Sequence, residues 1–436
     1  MYAIKNANPD MRKPPAKVRR QVRACSGFAL GMLFAATAAI PAYAMNFETA
    51  LAVALERAPS LQAKASALQG ALALQTSAGQ LPDPVLMLGL DSLPVNGPNR
   101  GSLTRDDFTQ RKIGWSQDML NRAKRNARSD AAAARTERDR ALLQSERLLV
   151  RREAGLAWLS WYFAEQKLAQ FNATLSHHRL LEETALSQLS AGKIMPSDVS
   201  MVRLEALALA DRRDELLRDV EQSRIAVRRW IGETAASISP LNESVGQLPP
   251  EFDVNAAYLK TNLERNPDIA ALTPMRAMAE AEVSEAEAAK RGDWSWGVSY
   301  GKRGQGYGDL VSVQLNFEIP TSPAQRQEPQ ILARLKELER IDADKSELLR
   351  KQTQELETQL SELTELDSKL KRLQQQALPT AAAKTAFTLA AYQGGRDKLA
   401  SVLEARKQQT ELDLRALDLQ AKKRAVQWRL KSIIPE

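Results

Sequence analysis

The chain is short of cysteine and histidine, and that shortage removes whole classes of chemistry. One cysteine, Cys25, occurs in 436 residues, so there is no disulfide framework and no cysteine-built metal site. The only histidines are the neighbours His177 and His178. Adjacent helical residues project in different directions, so this pair does not hold one metal ion. Excess charge is also scarce once its location is considered. The net charge is +8, but residues 1–44 hold seven bases and one acid, which leaves the remainder at +2. That near-neutrality excludes an electrostatic binder of nucleic acid. Beyond residue 44 there is no apolar run long enough for a transmembrane helix. No nucleophile–base constellation is visible. The glycine-rich stretch Gly301–Gly308 lacks the Lys-Ser/Thr that follows a phosphate-binding loop, and it reads as a hairpin loop. Met275 and Met278 share a helix face, which core packing explains. No catalytic, cofactor or metal site is expected, and no enzymatic activity.

The first 44 residues read as an export signal. A basic stretch ends at Arg23, an apolar run extends from Phe28 to Ile40, and Ala42-Tyr43-Ala44 supplies an A-x-A cleavage site. Met11 is an alternative start. Cys25 precedes the apolar run, the wrong side for a lipid-attachment cysteine. The mature chain is thus expected to be exported, free of thiols, and without a spanning helix.

What the chain does have is an internal duplication. Leu55-Glu-Arg-Ala-Pro-Ser-Leu-Gln-Ala63 aligns with Leu263-Glu-Arg-Asn-Pro-Asp-Ile-Ala-Ala271 at an offset of 208. The segment around Gly89 aligns with that around Gly297 at the same offset, and Gly192-Lys to Asp198-Val199 aligns with Gly395-Arg to Ser401-Val402 at an offset of 203. The organisation expected is a signal at 1–44 and two repeats. The first, 45–252, has a helix (Phe47–Leu81), a β-hairpin at 84–119 and long helices at 121–232. The second, 253–436, has a helix (Pro267–Arg291), a β-hairpin at 293–319 and long helices at 322–433.

The strands are clearest in the second repeat. Trp294, Trp296, Val298 and Tyr300 alternate with Ser295, Gly297 and Ser299, and Val311, Val313, Leu315, Phe317 and Ile319 alternate with small or polar residues. Strands of this length, with Trp and Tyr on the apolar face, suit a membrane barrel. In the first repeat Val85–Asp91 ascends and Lys112–Met119 returns. The helices are long: at 1.5 Å per residue, ~70 residues reach about 100 Å. Leu349, Leu356, Leu363 and Leu370 recur every seven residues, with Leu360, Leu366 and Leu373 between them, which predicts a coiled-coil seam. Four strands do not close a barrel, and lipid does not tolerate open sheet edges. The fold class expected is therefore a mixed, mostly α membrane protein. It has four β-strands and long coiled-coil helices per chain, and it trimerises into a twelve-stranded outer-membrane β-barrel on an α-helical periplasmic barrel.

The opening Ala50 to Ala63 (A-L-x-x-A-x-x-x-x-P-x-L-x-A), Leu81-Pro-Asp-Pro, and Asn316-Phe-Glu-Ile-Pro320 resemble the TolC-type outer-membrane efflux family. So does the stretch from Leu378-Pro-Thr-Ala through Tyr392-Gln-Gly-Gly-Arg to Val402-Leu-Glu-Ala-Arg406. The likeness spans Met45 to Ile434. It implies the outer-membrane channel of a tripartite efflux system, a homotrimer that conducts solute passively from periplasm to exterior. The partners implied are a periplasmic adaptor, an inner-membrane pump of RND type and outer-membrane lipid, with no nucleic acid. The linker 238–252 and the chain end are expected to form an equatorial belt. Leu93-Pro-Val-Asn-Gly-Pro-Asn-Arg through Ser102-Leu-Thr-Arg-Asp resembles the first outer loop of the heavy-metal-resistance branch, which points to metal cations as cargo. Two alternatives stay open. A periplasmic adaptor would show one helical hairpin flanked by halves of a lipoyl-like domain, and a soluble coiled-coil scaffold would lack membrane strands.

The same resemblance places the periplasmic tip, and the adaptor-docking surface, at two glycine turns. One contains Gly192, Lys193 and Asp198; the other contains Gly395, Arg396, Asp397 and Lys398. Glycine suits a turn that needs positive φ. The family narrows its pore with acidic residues at the positions of Ser401 and Glu404, so this chain departs from the pattern at Ser401. Three copies of Glu404 around an axis would form an acidic ring that favours cations.

Overall fold

The computed structural model describes residues 46–232, 251–304 and 306–435. The expected signal segment and most of the linker 238–252 lie outside them. Two helices open the described chain, α1 (Phe47–Arg57) and α2 (Pro59–Ser77), where a single helix over Phe47–Leu81 was expected. The break falls at Ala58, whose ψ of 114° is extended. Pro59 takes the first helical position of α2, where its missing N–H costs nothing. The hairpin β1 (Val85–Asp91) and β2 (Gln110–Met119) follows, then α3 (Arg122–Ser190) and α4 (Pro196–Ile231).

The same order then recurs. Short helical turns α5 (Ala256–Thr261) and α6 (Pro267–Ala270) lead into α7 (Leu272–Ala288), and Pro267 repeats the role of Pro59. The hairpin β3 (Trp294–Lys302) and β4 (Leu310–Phe317) precedes α8 (Pro323–Arg372), α9 (Leu378–Gln393) and α10 (Leu399–Lys431). Between α8 and α9 the chain makes a π-turn, Leu373–Ala377, in which the Leu378 N–H bonds the Leu373 carbonyl. This wider turn lies just ahead of Pro379, whose ring would otherwise meet the carbonyl four residues back.

The four strands form one antiparallel sheet in the order β1-β2-β3-β4. Pairing of Leu86 with Trp115, Trp115 with Val298 and Val298 with Val313 aligns the apolar residues of all four strands on one face. The other face aligns Met87, Gly114, Ser299 and Ser312, and Val85, Ser116, Gly297 and Gln314. The apolar face is bare: Leu88 is 75% exposed, Val311 70%, Val313 69% and Phe317 66%. A continuous sheet face of aliphatic and aromatic residues in water is unfavourable, and such patches mark a partner or a membrane.

The main core lies where α1, α3, α4 and α10 meet. Phe47, Trp158, Trp161, Tyr162, Phe163, Phe252 and Trp428 are buried together there. The Phe47 ring stands edge-on to Trp428 at a centroid distance of 4.8 Å, and the Trp428 indole N–H donates to the Arg152 carbonyl at 3.0 Å. The indole lies across α3 at Gly155, the one glycine within that 69-residue helix. A methyl group on Gly155 would occupy the space of the indole ring. Along α8 the seven-residue leucine stripe is a seam: Leu356, Leu366, Leu370 and Leu373 are buried, and Leu349, Leu360 and Leu363 pack alongside, against Val426 and Leu430 of α10 among others.

Gly155→Ala is therefore expected to destabilise the fold by about 3 kcal/mol, combining overpacking with the loss of the Trp428 hydrogen bond. The thermal unfolding midpoint read by circular dichroism checks this. A midpoint equal to that of the unsubstituted protein would contradict the packing described.

Candidate functional site

The two turns singled out by the sequence have the same backbone solution. Helices α3 and α9 each end in a glycine with left-handed geometry, Gly192 at φ 69° and Gly395 at φ 71°. The Gly192 N–H donates to the Leu189 carbonyl and the Lys193 N–H to that of Gln188, both at 2.9 Å. Likewise the Gly395 N–H donates to Tyr392 at 3.0 Å and the Arg396 N–H to Ala391 at 2.8 Å. This is the Schellman arrangement, which uses the free carbonyls of a helix end and requires positive φ at the glycine.

The next helix then starts differently at each turn. In the first, Asp198 caps α4, its carboxylate accepting the Met195 N–H at 3.0 Å. In the second, the matching position is Ser401, which makes no such cap. Its hydroxyl donates to the Asp397 carboxylate at 2.7 Å, and the Lys398 N–H donates to the same oxygen at 2.7 Å. The Ser401 hydroxyl, followed by the Lys398 amide, holds the Asp397 carboxyl below its ordinary value. The acid that Ser401 replaces is thus balanced by Asp397, four residues earlier.

The turns are brought together. Ala185 of α3, Val199 and Val202 of α4, and Leu399 and Leu403 of α10 form one buried cluster. The Tyr392 hydroxyl at the end of α9 donates to Gln188 Oε1 at 3.1 Å, joining the two helical hairpins. Burial, and then the charge of Asp198, push the Tyr392 phenol pKa up. A ring nitrogen of buried His178 lies 3.1 Å from the Val202 carbonyl, which gives that histidine a structural position. Lys193, Arg396 and Lys398 are exposed on the turns. Glu404 is exposed between buried Leu403 and Ala405, and Gln408 donates to it at 2.7 Å. Glu404 therefore faces away from the packed seam, and Ser401 is turned inward to Asp397.

Sequence reasoning did not select Gln188 or Tyr392. Tyr392 carried a signal, since it stands three residues before the glycine of a helix end, where side chains of the last turn reach across. Gln188 carried none. Among the described residues, no three side chains of His, Cys, Asp or Glu converge to hold a metal ion. Nor is any helix there long and apolar enough to cross a membrane, which says nothing of the sheet.

The architecture is that of known outer-membrane channels. A membrane protein from Pseudomonas aeruginosa superposes with a TM-score of 0.78 at 17% identity, covering 89% of this chain and 92% of its own. CusC, described with the changes that accompany its folding and transmembrane channel formation, superposes at 0.74 with 16% identity, over 90% of this chain and 92% of that one. The outer membrane protein VceC of Vibrio cholerae gives 0.70 and 17%, over 89% and 95%. No protein-family model and no curated protein sequence matches the chain. At these identities the likeness is one of fold. Its two helical hairpins, each preceded by a strand pair, differ from the single hairpin expected of an adaptor.

Gly192→Ala and Gly395→Ala are each expected to cost about 1 kcal/mol by forcing an alanine into the left-handed region. Amide hydrogen exchange should quicken across 188–196 or 391–398 respectively, and unchanged protection would contradict the turn assignment. At the second turn, the lowered Asp397 pKa means its contribution is present above the ordinary aspartate value of 3.8 and is lost as pH falls through the lowered value. Ser401→Ala should move that loss upward towards 3.8, read by a 13C titration of the Asp397 carboxyl; an unmoved titration would remove the hydroxyl from this role.

Proposed function

We propose that three copies of this chain pool their sheets into a twelve-stranded barrel in the outer membrane and their helices into a periplasmic tube. The assembly is the passive exit channel of a tripartite efflux system. One observation carries the reading: the four-stranded sheet is mainly apolar on one face, mostly small or polar on the other, and among the described residues unpaired at both edges, β1 and β4. An open edge in hydrocarbon leaves a row of unsatisfied backbone groups, and closure by like strands removes it. The apolar face then meets lipid, and the face of Gly114, Ser116, Gly297, Ser299 and Ser312 lines the bore. Helices ~100 Å long would cross most of a periplasm. The recurrence of the element order supports a duplicated ancestor with repeats at 45–252 and 253–436, and residues 1–44 are the cleaved signal.

The glycine turns form the periplasmic tip, where Gly192, Lys193, Asp198, Gly395, Arg396, Asp397 and Lys398 present the docking surface for an adaptor protein. The adaptor links the channel to an inner-membrane pump of RND type that supplies the energy. Glu404 faces the bore and forms the acidic constriction, with Ser401 beside it. The exposure of Glu404 away from the packed seam supports this placement. The bond between Tyr392 and Gln188 holds the hairpins together while the tip is shut. Heavy-metal cations are the cargo suggested by the loop from Leu93 to Asp106.

The channel should sediment with the outer membrane, require detergent, and have the mass of three chains; recovery as a soluble monomer would overturn the assignment. In planar bilayers Tyr392→Phe, which removes one hydrogen bond worth about 1 kcal/mol from each of three chains, is expected to raise the open probability at least several-fold. Glu404→Ala is expected to weaken cation preference, and unchanged conductance and selectivity would exclude Glu404 from the constriction.

A further inference from the structure

On the apolar face of the sheet, one row departs from the pattern. Arg111 of β2 and Lys302 of β3 stand directly opposite each other in the antiparallel register, two pairs beyond Ile113 and Tyr300 and so on the same face. Period-two alternation puts both on the face of Ile113, Trp115, Val298 and Tyr300, pointing away from the bore. Both are exposed. Like charges directly opposite on adjacent strands repel.

No carboxylate of the described residues forms an ion pair with either cation, and three acids at this end of the sheet are engaged elsewhere. Asp91 pairs with Lys112 on the other face. Asp309 accepts the Tyr300 hydroxyl. Asp106 accepts the amides of Phe108 and Thr109 at 3.1 Å. The contrast with Lys112 is informative: the lysine one residue away, on the bore side, has a carboxylate partner from its own chain, and the outward pair has none.

Position identifies the missing counter-charge. Eight steps of β3 separate Trp294 from Lys302. At ~3.4 Å each they span ~27 Å of strand, or roughly 20 Å of height at a tilt near 40°. Trp294 stacks on Phe317 at the helical end, with ring centroids 6.3 Å apart, as an interfacial aromatic belt would. With that belt at one lipid–water boundary, the backbone at Arg111 and Lys302 lies ~5 Å inside the other edge of a ~25 Å apolar band, a gap that their long side chains cover. Because β2 and β3 are the inner strands of the sheet, a neighbouring copy joined at β1 or β4 would not cover them.

We propose that Arg111 and Lys302 form a binding site for the phosphate of a lipid headgroup in the membrane leaflet facing away from the helices. The guanidinium supplies a planar pair of donors matched to phosphate oxygens, and the ammonium adds a second charge on the same anion. The site rests on the membrane reading given above.

The test uses the full-length protein in detergent, unsubstituted and as Arg111→Gln/Lys302→Gln. The probes are diphosphoryl lipid A, its dephosphorylated form, and inorganic phosphate. Native mass spectrometry and thermal midpoints are the readouts. Diphosphoryl lipid A is expected to bind the unsubstituted protein at least tenfold more tightly than the variant and to raise its midpoint by several degrees. Without lipid the variant should melt no lower than the unsubstituted protein, because its repulsive pair has gone. Equal lipid affinity in both proteins would overturn the proposal, as would equal stabilisation by the dephosphorylated lipid or by inorganic phosphate alone. A variant that melts lower without lipid would also overturn it, since the pair would then have an internal partner. Fractionation separates the two readings: a chain outside the membrane defeats the channel assignment, whereas an inserted chain indifferent to lipid phosphate defeats only this site.

Discussion

Everything in this molecule is arranged around backbone groups that need partners at the edges of its sheet. Strands β1 and β4 each present an edge with no partner among the described residues, next to a face that water does not favour. In hydrocarbon, each unpaired N–H or C=O costs several kcal/mol, so a single copy is not a stable membrane body. On the membrane reading proposed above, the subunit is incomplete by itself. The order β1-β2-β3-β4 places the β1–β2 hairpin beside β3–β4, so the sheet offers two edges that a closed ring of copies would use.

The helical half follows the same logic with side chains in place of backbone. Coiled-coil packing lets helices of 69 and 50 residues run without a globular core along most of their length. The large aromatic core is confined to one level, where Phe47, Trp158, Phe252 and Trp428 bring the start and end of the described chain together. At the far end, two Schellman turns reverse the chain in little space. At this end the Tyr392–Gln188 bond and the small cluster around Val202 join the hairpins to one another, and further along the Phe171, Leu216 and Leu414 cluster does the same. An end held by a few polar contacts and a small apolar cluster separates more easily than the large aromatic core.

Much of the fold was legible because its physics is local. Alternation of Trp294 through Tyr300 and of Val311 through Phe317 shows strands directly, and the leucine spacing of α8 shows its seam. The turns at Gly192 and Gly395 were legible because left-handed geometry selects glycine. The first repeat was less so. Strand β2 begins at Gln110, before the expected Lys112, because Gln110 pairs with Asp91 across the hairpin and Arg111 with Lys302 of β3, partners that the alternation of β2 alone does not show. The helix break at Ala58 had its signal in Pro59. Features that depend on contacts across the fold were not legible: Gly155 is demanded by Trp428, and the substitution at Ser401 is understood only once Asp397 is seen to bond it. The opposition of Arg111 and Lys302 likewise needs the register.

Joining of β4 to β1 between copies is the claim on which the channel depends, and disulfide trapping tests it most directly. With no other thiol after Cys25, Met87→Cys on β1 can be combined in turn with Ser312→Cys, Gln314→Cys or Asn316→Cys on β4, all on the bore-side face. Closure by neighbouring copies predicts that at least one pair, oxidised in the native membrane, yields a covalent species of three chains that resists sodium dodecyl sulfate and disappears on reduction. Single chains alone, for every pair and with free thiols still reactive, would contradict it.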